Sequence, residues 1–249
     1  MKSGIRKSIE SVAQRAGYQV IPQWRMDGYP MARHLKHVFE ALGVDLVLDV
    51  GANQGQYRDF LRNEVGYSGV IASFEPIPEL CQALVARSQG DPSWHVRNVA
   101  LGAEAGALSF NVTNTTEFSS FLTPSHEQTS RFTESNAVAR TIMVEVETLN
   151  RILPELRGRH RPQGIYLKVD TQGYDRQVIE GGLDVLGEFV ALQTEMSVTQ
   201  IYDGMTDYRE MLGFLQAQGF SPSGFFPLNS GRLLKMIEFD CCMVNNRCL

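Results

Sequence analysis

Leu46-Val47-Leu48-Asp49-Val50-Gly51-Ala52-Asn53-Gln54-Gly55 is the stretch that decides how this chain folds. An apolar run of strand length leads into a glycine-containing turn, and the residues after Gly55 open a helix. In an open α/β sheet this junction lies at the carboxyl end of a strand, where ligands bind. Gly51 and Gly55 let the backbone turn tightly and approach a ligand closely, and the first turn of the following helix offers unpaired N–H groups to an anionic group. Strand, glycine turn and helix by themselves fit several cofactors.

Outward from that stretch the same rhythm repeats. Short apolar runs at 69–74, 94–99, 165–169 and 189–194 suit strands covered on both faces. Helical patterns fit between them at 55–63, 78–88, 173–186 and 207–218. Alternating strands and helices predict right-handed crossovers and a doubly wound, Rossmann-like sheet with helices on both faces. An insertion at 108–146, between the third and fourth strands, holds strand-like pieces at 108–112 and 141–146 around a Ser/Thr-rich stretch. The tail, 219–244, reads as two strands joined at Asn229-Ser230-Gly231. Ahead of the first strand, Ile5, Ile9, Val12, Ala13 and Ala16 recur at helical spacing before Gly17, and a second helix is expected over 31–42 with Leu35, Val38, Phe39 and Leu42 on one face. The expected organisation is a helical extension, 1–43, on one domain, 44–249.

The chain has 249 residues, 43% hydrophobic and 20% charged, enough for a core of ordinary size. A net charge of -5 gives no reason to bind nucleic acid. Residues 1–40 carry seven Lys or Arg against three Asp or Glu, so peripheral contact with an anionic membrane or a charged glycan stays open. Cys81, Cys241, Cys242 and Cys248 form no CxxC pair, which indicates neither a disulfide framework nor a metal site. With no apolar leader and no run long enough to span a bilayer, a reducing, cytoplasmic setting is expected. The apolar faces of the first two helices leave a homodimer open.

Glu75 discriminates among the cofactors. It ends the second strand 20 residues past Gly55, where a carboxylate can accept hydrogen bonds from both hydroxyls of an adenosine ribose. A nicotinamide fingerprint would read G-x-G-x-x-G, but Gly51 is followed two positions later by Asn53, and the next glycine is four away. That spacing favours S-adenosylmethionine, whose amino-acid end needs a loop and no pyrophosphate cradle. Glu75 with Pro76 is then the ribose clamp. Asp49, Gly51, Asn53, Gln54, Gly55 and Tyr57 meet the methionine end, and Asn98, Ala100 and Leu101 lie where adenine lodges.

The chain resembles the FkbM-type methyltransferases. The residues that carry the resemblance are Asp49-Val50-Gly51-Ala52-Asn53-Gln54-Gly55-Gln56-Tyr57, Phe74-Glu75-Pro76, Asn98-Val99-Ala100-Leu101-Gly102 and Leu167-Lys168-Val169-Asp170-Thr171-Gln172-Gly173-Tyr174-Asp175, in the family's order over roughly the middle half of the chain. Glu195 and Ile201-Tyr202-Asp203-Gly204 also look like the family's segment after the fifth strand. Gln172 and Asp175 depart from an Ile-Lys-Ile-Asp-x-Glu-Gly-x-Glu-like pattern, so no carboxylate role is carried over to Gln172. The resemblance implies a seven-stranded sheet and methyl transfer to oxygen, commonly on sugars, glycolipid precursors or secondary-metabolite hydroxyls.

A neutral hydroxyl is a poor nucleophile, so a base or a polarising group is needed. Asp170 ends the fourth strand at the ligand edge and is the expected base or acceptor-orienting group, with helix capping as its equal alternative. Lys168 lies two residues back on the same strand face. Glu195 ends the adjacent strand, and with Asp170 it leaves room for Mg²⁺. A nicotinamide oxidoreductase and a non-catalytic S-adenosylmethionine-binding module are the competing functions.

Overall fold

The computed structural model describes residues 12–228 and 234–249, with positions 14 and 19 excepted. Most of the expected helix over Ile5–Ala16, and the turn at Asn229-Ser230-Gly231, lie outside the described residues. The first half of the chain runs α1 (Tyr29–Leu42), β1 (Val44–Val50), α2 (Gln56–Phe60, continued by a π turn Leu61–Val65), β2 (Val70–Phe74), α3 (Pro78–Ser88), β3 (Trp94–Arg97), β4 (Ala100–Leu101) and β5 (Gly106–Thr113). It continues with β6 (Val138–Glu147), α4 (Leu149–His160), β7 (Gly164–Val169), α5 (Asp175–Glu180), β8 (Phe189–Ser197), α6 (Tyr208–Ala217), β9 (Phe220–Pro227) and β10 (Glu238–Asn245).

Seven strands form one sheet in the order β3-β2-β1-β7-β8-β10-β9. The first five of these are mutually parallel, and β10 runs antiparallel to both β8 and β9. The chain reverses direction across the sheet between β1 and β7, which is the switch point where a crevice opens. One face packs under α4, α5 and α6 through Leu46, Leu48, Leu153, Leu167, Ile179 and Leu215. The other packs under α1, α2 and α3 through Leu35, Phe39, Val47, Leu61, Leu84 and Tyr166. Strand alternation sends Cys241 into the first core and Cys242 into the second. The insertion forms a separate three-stranded sheet, β4-β6-β5, with β5 and β6 antiparallel.

Several elements differ from the sequence expectation for identifiable reasons. The helix expected over 173–186 is only α5, and just past its end the backbone at Gly181 packs so closely on the Gly102 carbonyl, in the loop after β4, that no side chain fits there. α4 was not expected at all. Its buried residues Leu149, Ile152, Leu153 and Leu156 have helical spacing, but Pro154 interrupts the pattern and sits on the exposed side.

Candidate active site

Strand register builds the site. Ser73 pairs with Asp49, Asp49 with Lys168, Lys168 with Gln193, and Gln193 with Cys242, so one row crosses five strands on the α1–α3 face. All five side chains are buried. One step nearer the carboxyl edge stands a second row, Glu75, Asp170, Glu195 and Asp240, with Glu195 opposite Asp240 in register. The lower row is a floor of polar contacts. Trp94 Nε1 donates to Ser73 Oγ (3.0 Å), and Ser73 Oγ donates to Asp49 Oδ2 (2.9 Å). Lys168 Nζ lies 3.3 Å from Asp49 Oδ1, 3.5 Å from Asp170 Oδ2 and 3.3 Å from the Gly51 carbonyl that accepts from it. Tyr57 donates its hydroxyl to Gln193 Oε1 (2.9 Å), and Gln193 Nε2 donates to Asp240 Oδ1 (2.9 Å). Burial by itself would lower the Lys168 pKa, but Asp170 and Asp49 outweigh it and hold the ammonium above its ordinary value.

Above this floor opens a cleft of about 420 Å³, within the range of small-ligand sites. Gly51, Ala52, Asn53, Tyr57, Glu75, Pro76, Ala100 and Leu101 line one part of it, and Lys168, Asp170, Gln172, Glu195, Glu238 and Asp240 line another. Gly51 is needed for two reasons. Its φ is 80°, and a Cβ there would strike the Asp170 carbonyl. Glu75 is 3% exposed. Its Oε2 accepts the Asn53 backbone N–H at 2.7 Å and its Oε1 accepts that of Ile77 at 2.8 Å, which ties the carboxylate to the turn after β1. Burial pushes the Glu75 carboxyl up to about 7 against the pull of those two N–H donors.

The remaining expected site residues lie around the cleft without lining it. Asp49 is fully buried beneath Lys168. Gln54 is exposed, and its carbonyl accepts from Arg87. Gly55 caps α2 in the left-handed conformation. Asn98 Nδ2 donates to the carbonyls of Glu75 (2.8 Å) and Pro76 (3.0 Å) and so fixes the turn that carries Glu75. Asp170 does not cap α5. No side chain caps that helix; Asp175, its first residue, accepts from Thr171 N at 2.7 Å, from Thr171 Oγ1 at 2.5 Å and from Thr194 Oγ1 at 2.7 Å.

Sequence reasoning missed Ser73, Gln193, Glu238 and Asp240. Glu238 is 8% exposed and accepts from Ser197 Oγ at 3.1 Å. Burial pushes Glu238 up to about 7, Asp240 up to about 6, and Glu195 well above the carboxylate range with help from Glu238 and Asp170. The available signal was acidic residues at period two, 238 and 240, in an otherwise apolar strand. The insertion closes over this region: Thr116 Oγ1 donates to Asn53 Oδ1 (3.2 Å), and Tyr202 donates to the Phe118 carbonyl (2.8 Å). Among the described residues, no group of three or more His, Cys, Asp or Glu is arranged to hold a metal ion. Between Asp170 and Glu195 stands the Gln172 amide. Among the described residues, no helix is long and apolar enough to cross a membrane.

The site fits S-adenosylmethionine. A buried carboxylate lines the cleft beside a main-chain bend, and the apolar edge of Ala100 and Leu101 lies within the same space. Comparison with known proteins bears on the same residues. The model of the methyltransferase FkbM domain matches residues 49–222, more than half the chain. No curated protein matches the sequence significantly. Methyltransferase FkbM from Methylobacillus flagellatus KT superposes with a TM-score of 0.51 at 13% identity, covering 81% of this chain, while this chain spans only 43% of that one. Magnesium protoporphyrin IX methyltransferase from Synechocystis PCC 6803, solved with bound S-adenosylmethionine, gives 0.47 at 8% identity, covering 89% of this chain and 81% of its own. The chain belongs to the FkbM methyltransferase family, and residues 49–222 form an S-adenosylmethionine-dependent methyltransferase domain.

Proposed function

We propose that this chain methylates a hydroxyl oxygen of a sugar, glycolipid precursor or secondary metabolite. The observation that carries this reading is the arrangement of carboxylates in the cleft: Glu75 stands on one side, and Asp170, Glu195, Glu238 and Asp240 stand on the other. Carboxylates accept hydrogen bonds from vicinal hydroxyls, and a wall of four suits a polyhydroxylated acceptor. When bound, S-adenosylmethionine supplies an electrophilic methyl on a sulfonium.

The chain's own residues position and prepare the acceptor. Glu75 and Pro76 hold the ribose; Gly51, Asn53, Gln54 and Tyr57 shape the loop for the methionine end; Ala100 and Leu101 form the adenine wall. Asp49 contributes by fixing Lys168 from below. Lys168 in turn anchors Asp170 through Oδ2, and Gln172 donates to Oδ1, so this carboxylate is held at the ligand edge with lone pairs left for an acceptor hydroxyl. Asp170 takes the hydroxyl proton as oxygen attacks, and the shape of the cleft keeps the reacting atoms in line.

The test is transfer of isotope-labelled methyl from S-adenosylmethionine to a panel of free oligosaccharides, nucleotide sugars and polyhydroxylated metabolites, with amine-bearing analogues alongside. Label should enter hydroxyl acceptors. Asp170→Asn should bind adenosylhomocysteine normally and transfer at least about 100-fold more slowly. Label confined to amines, or full turnover in Asp170→Asn, would overturn the reading.

A further inference from the structure

Gln172 occupies a position that a glutamine adopts at a cost. Its φ is 54°, in the left-handed region, and the backbone is held there by Ser120 Oγ, which donates to the Gln172 carbonyl at 2.8 Å. The side chain shows what that conformation achieves. Nε2 donates to Asp170 Oδ1 at 3.0 Å and to Glu195 Oε2 at 2.8 Å, so the amide nitrogen serves two carboxylates at once. A primary amide has two hydrogens, and both are used. The opposite orientation would turn an amide oxygen toward two carboxylates. The observed one leaves Oε1 at 3.1 Å from the hydroxyl of Tyr202, a fully buried side chain.

Two acidic side chains converging on one point turn their oxygen lone pairs toward each other, and a hydrogen-bond donor or a cation between them relieves that. We infer that Gln172 is a positioning residue: by giving one amide hydrogen to each of Asp170 and Glu195, it fills the place that a divalent cation would otherwise have to take. The inference rests on the reading that the Asp170 end of the cleft receives the acceptor, and it adds how that end keeps its shape. The amide is neutral and covalently attached, so the pair of acids stays together without a bound ion. A carboxylate at position 172 would instead remove the amide donor between Asp170 and Glu195 and bring three acidic side chains together, a set of hard oxygen ligands of the kind that calcium, magnesium and manganese ions take.

The experiment compares the full-length wild type, Gln172→Glu and Gln172→Met at about pH 8. Binding of Mn²⁺ is followed by loss of its free paramagnetic resonance signal and by thermal melting, and adenosylhomocysteine affinity is measured in parallel. Gln172→Glu should take up one Mn²⁺ with a dissociation constant of about 10⁻⁴–10⁻³ M, and its Tm should rise by a few degrees when the ion saturates. The wild type should bind Mn²⁺ at least about tenfold more weakly. A folded Gln172→Glu that binds adenosylhomocysteine but leaves Mn²⁺ free would overturn the inference, as would a wild type that binds the ion equally well. Should Gln172→Glu not fold, the crystal structure of Gln172→Met with adenosylhomocysteine decides. The carboxylates of Asp170 and Glu195 should swing apart, and unchanged positions would overturn the inference. Failure of the wild type to bind adenosylhomocysteine would count against the cofactor reading and leave the Mn²⁺ result to stand or fall separately.

Discussion

In the proposed function Glu75 is both a ligand group and a brace, because its two oxygens already accept the backbone N–H groups of Asn53 and Ile77 at the edge of the cleft. Its pH behaviour follows. The free carboxyl titrates at about 7, and ribose hydroxyls donating to it favour the ionised form. Above 7 the group is already ionised and affinity should be flat. Below 7 a proton must leave before the ribose binds, so adenosylhomocysteine affinity should fall by up to about tenfold per pH unit, measured by calorimetry. Glu75→Gln should bind about 2–4 kcal/mol more weakly at pH 8 and lose the acid-side decline. The position of Glu75 was legible because one strand end and one spacing define it. Gln193, Glu238 and Asp240 were not, since their meaning comes from register across strands distant in sequence. Gln172 was noticed only as a departure from a pattern, and its double donation exists only once β7 and β8 lie side by side.

At the scale of elements, the strands were legible because buried parallel strands are apolar on both faces, and β1, β2, β7 and β8 all read that way. Helix ends were legible where a side chain marks them. Asp207 precedes α6 with extended backbone, and its carboxylate accepts the Arg209 N–H at 2.9 Å. Asp207→Ala should therefore lower stability by about 0.5–2 kcal/mol, a fall in Tm of a few degrees for a chain of this size, with adenosylhomocysteine affinity unchanged. A melting temperature equal to the wild type's would remove the cap from the list of what holds α6. The ends of α5 and the whole of α4 were not legible. One stops where Gly181 closely approaches another loop, and the other carries a proline whose exposed placement only the packing reveals.

Over the whole molecule, the acids gathered at the cleft set how the ligand-free protein responds to pH. Glu75 and Glu238 titrate at about 7 and Asp240 at about 6, above the ordinary carboxylate values of an unfolded chain, and Glu195 is raised further. A group raised on folding lends stability that is complete below its unfolded pKa and is lost as pH rises through its folded one. His34, His95 and His160, lowered mainly by burial, act in the opposite sense below about 6.5. Between about pH 6.5 and 8 the acids are left to dominate, so the Tm of the ligand-free protein should fall across that span in calorimetry. A Tm that climbed there would contradict this balance. The polar floor also has an optical consequence. The guanidinium groups of Arg58 and Arg87 lie over the Trp94 indole, 4.9 and 5.4 Å from its ring centre, and the indole N–H leads through Ser73 and Asp49 to the ammonium beneath the cleft. Any guest that disturbs that ammonium changes the field felt by the excited ring, so once Trp24, the other tryptophan, is silenced, the colour of the protein's own ultraviolet emission becomes a gauge of occupancy.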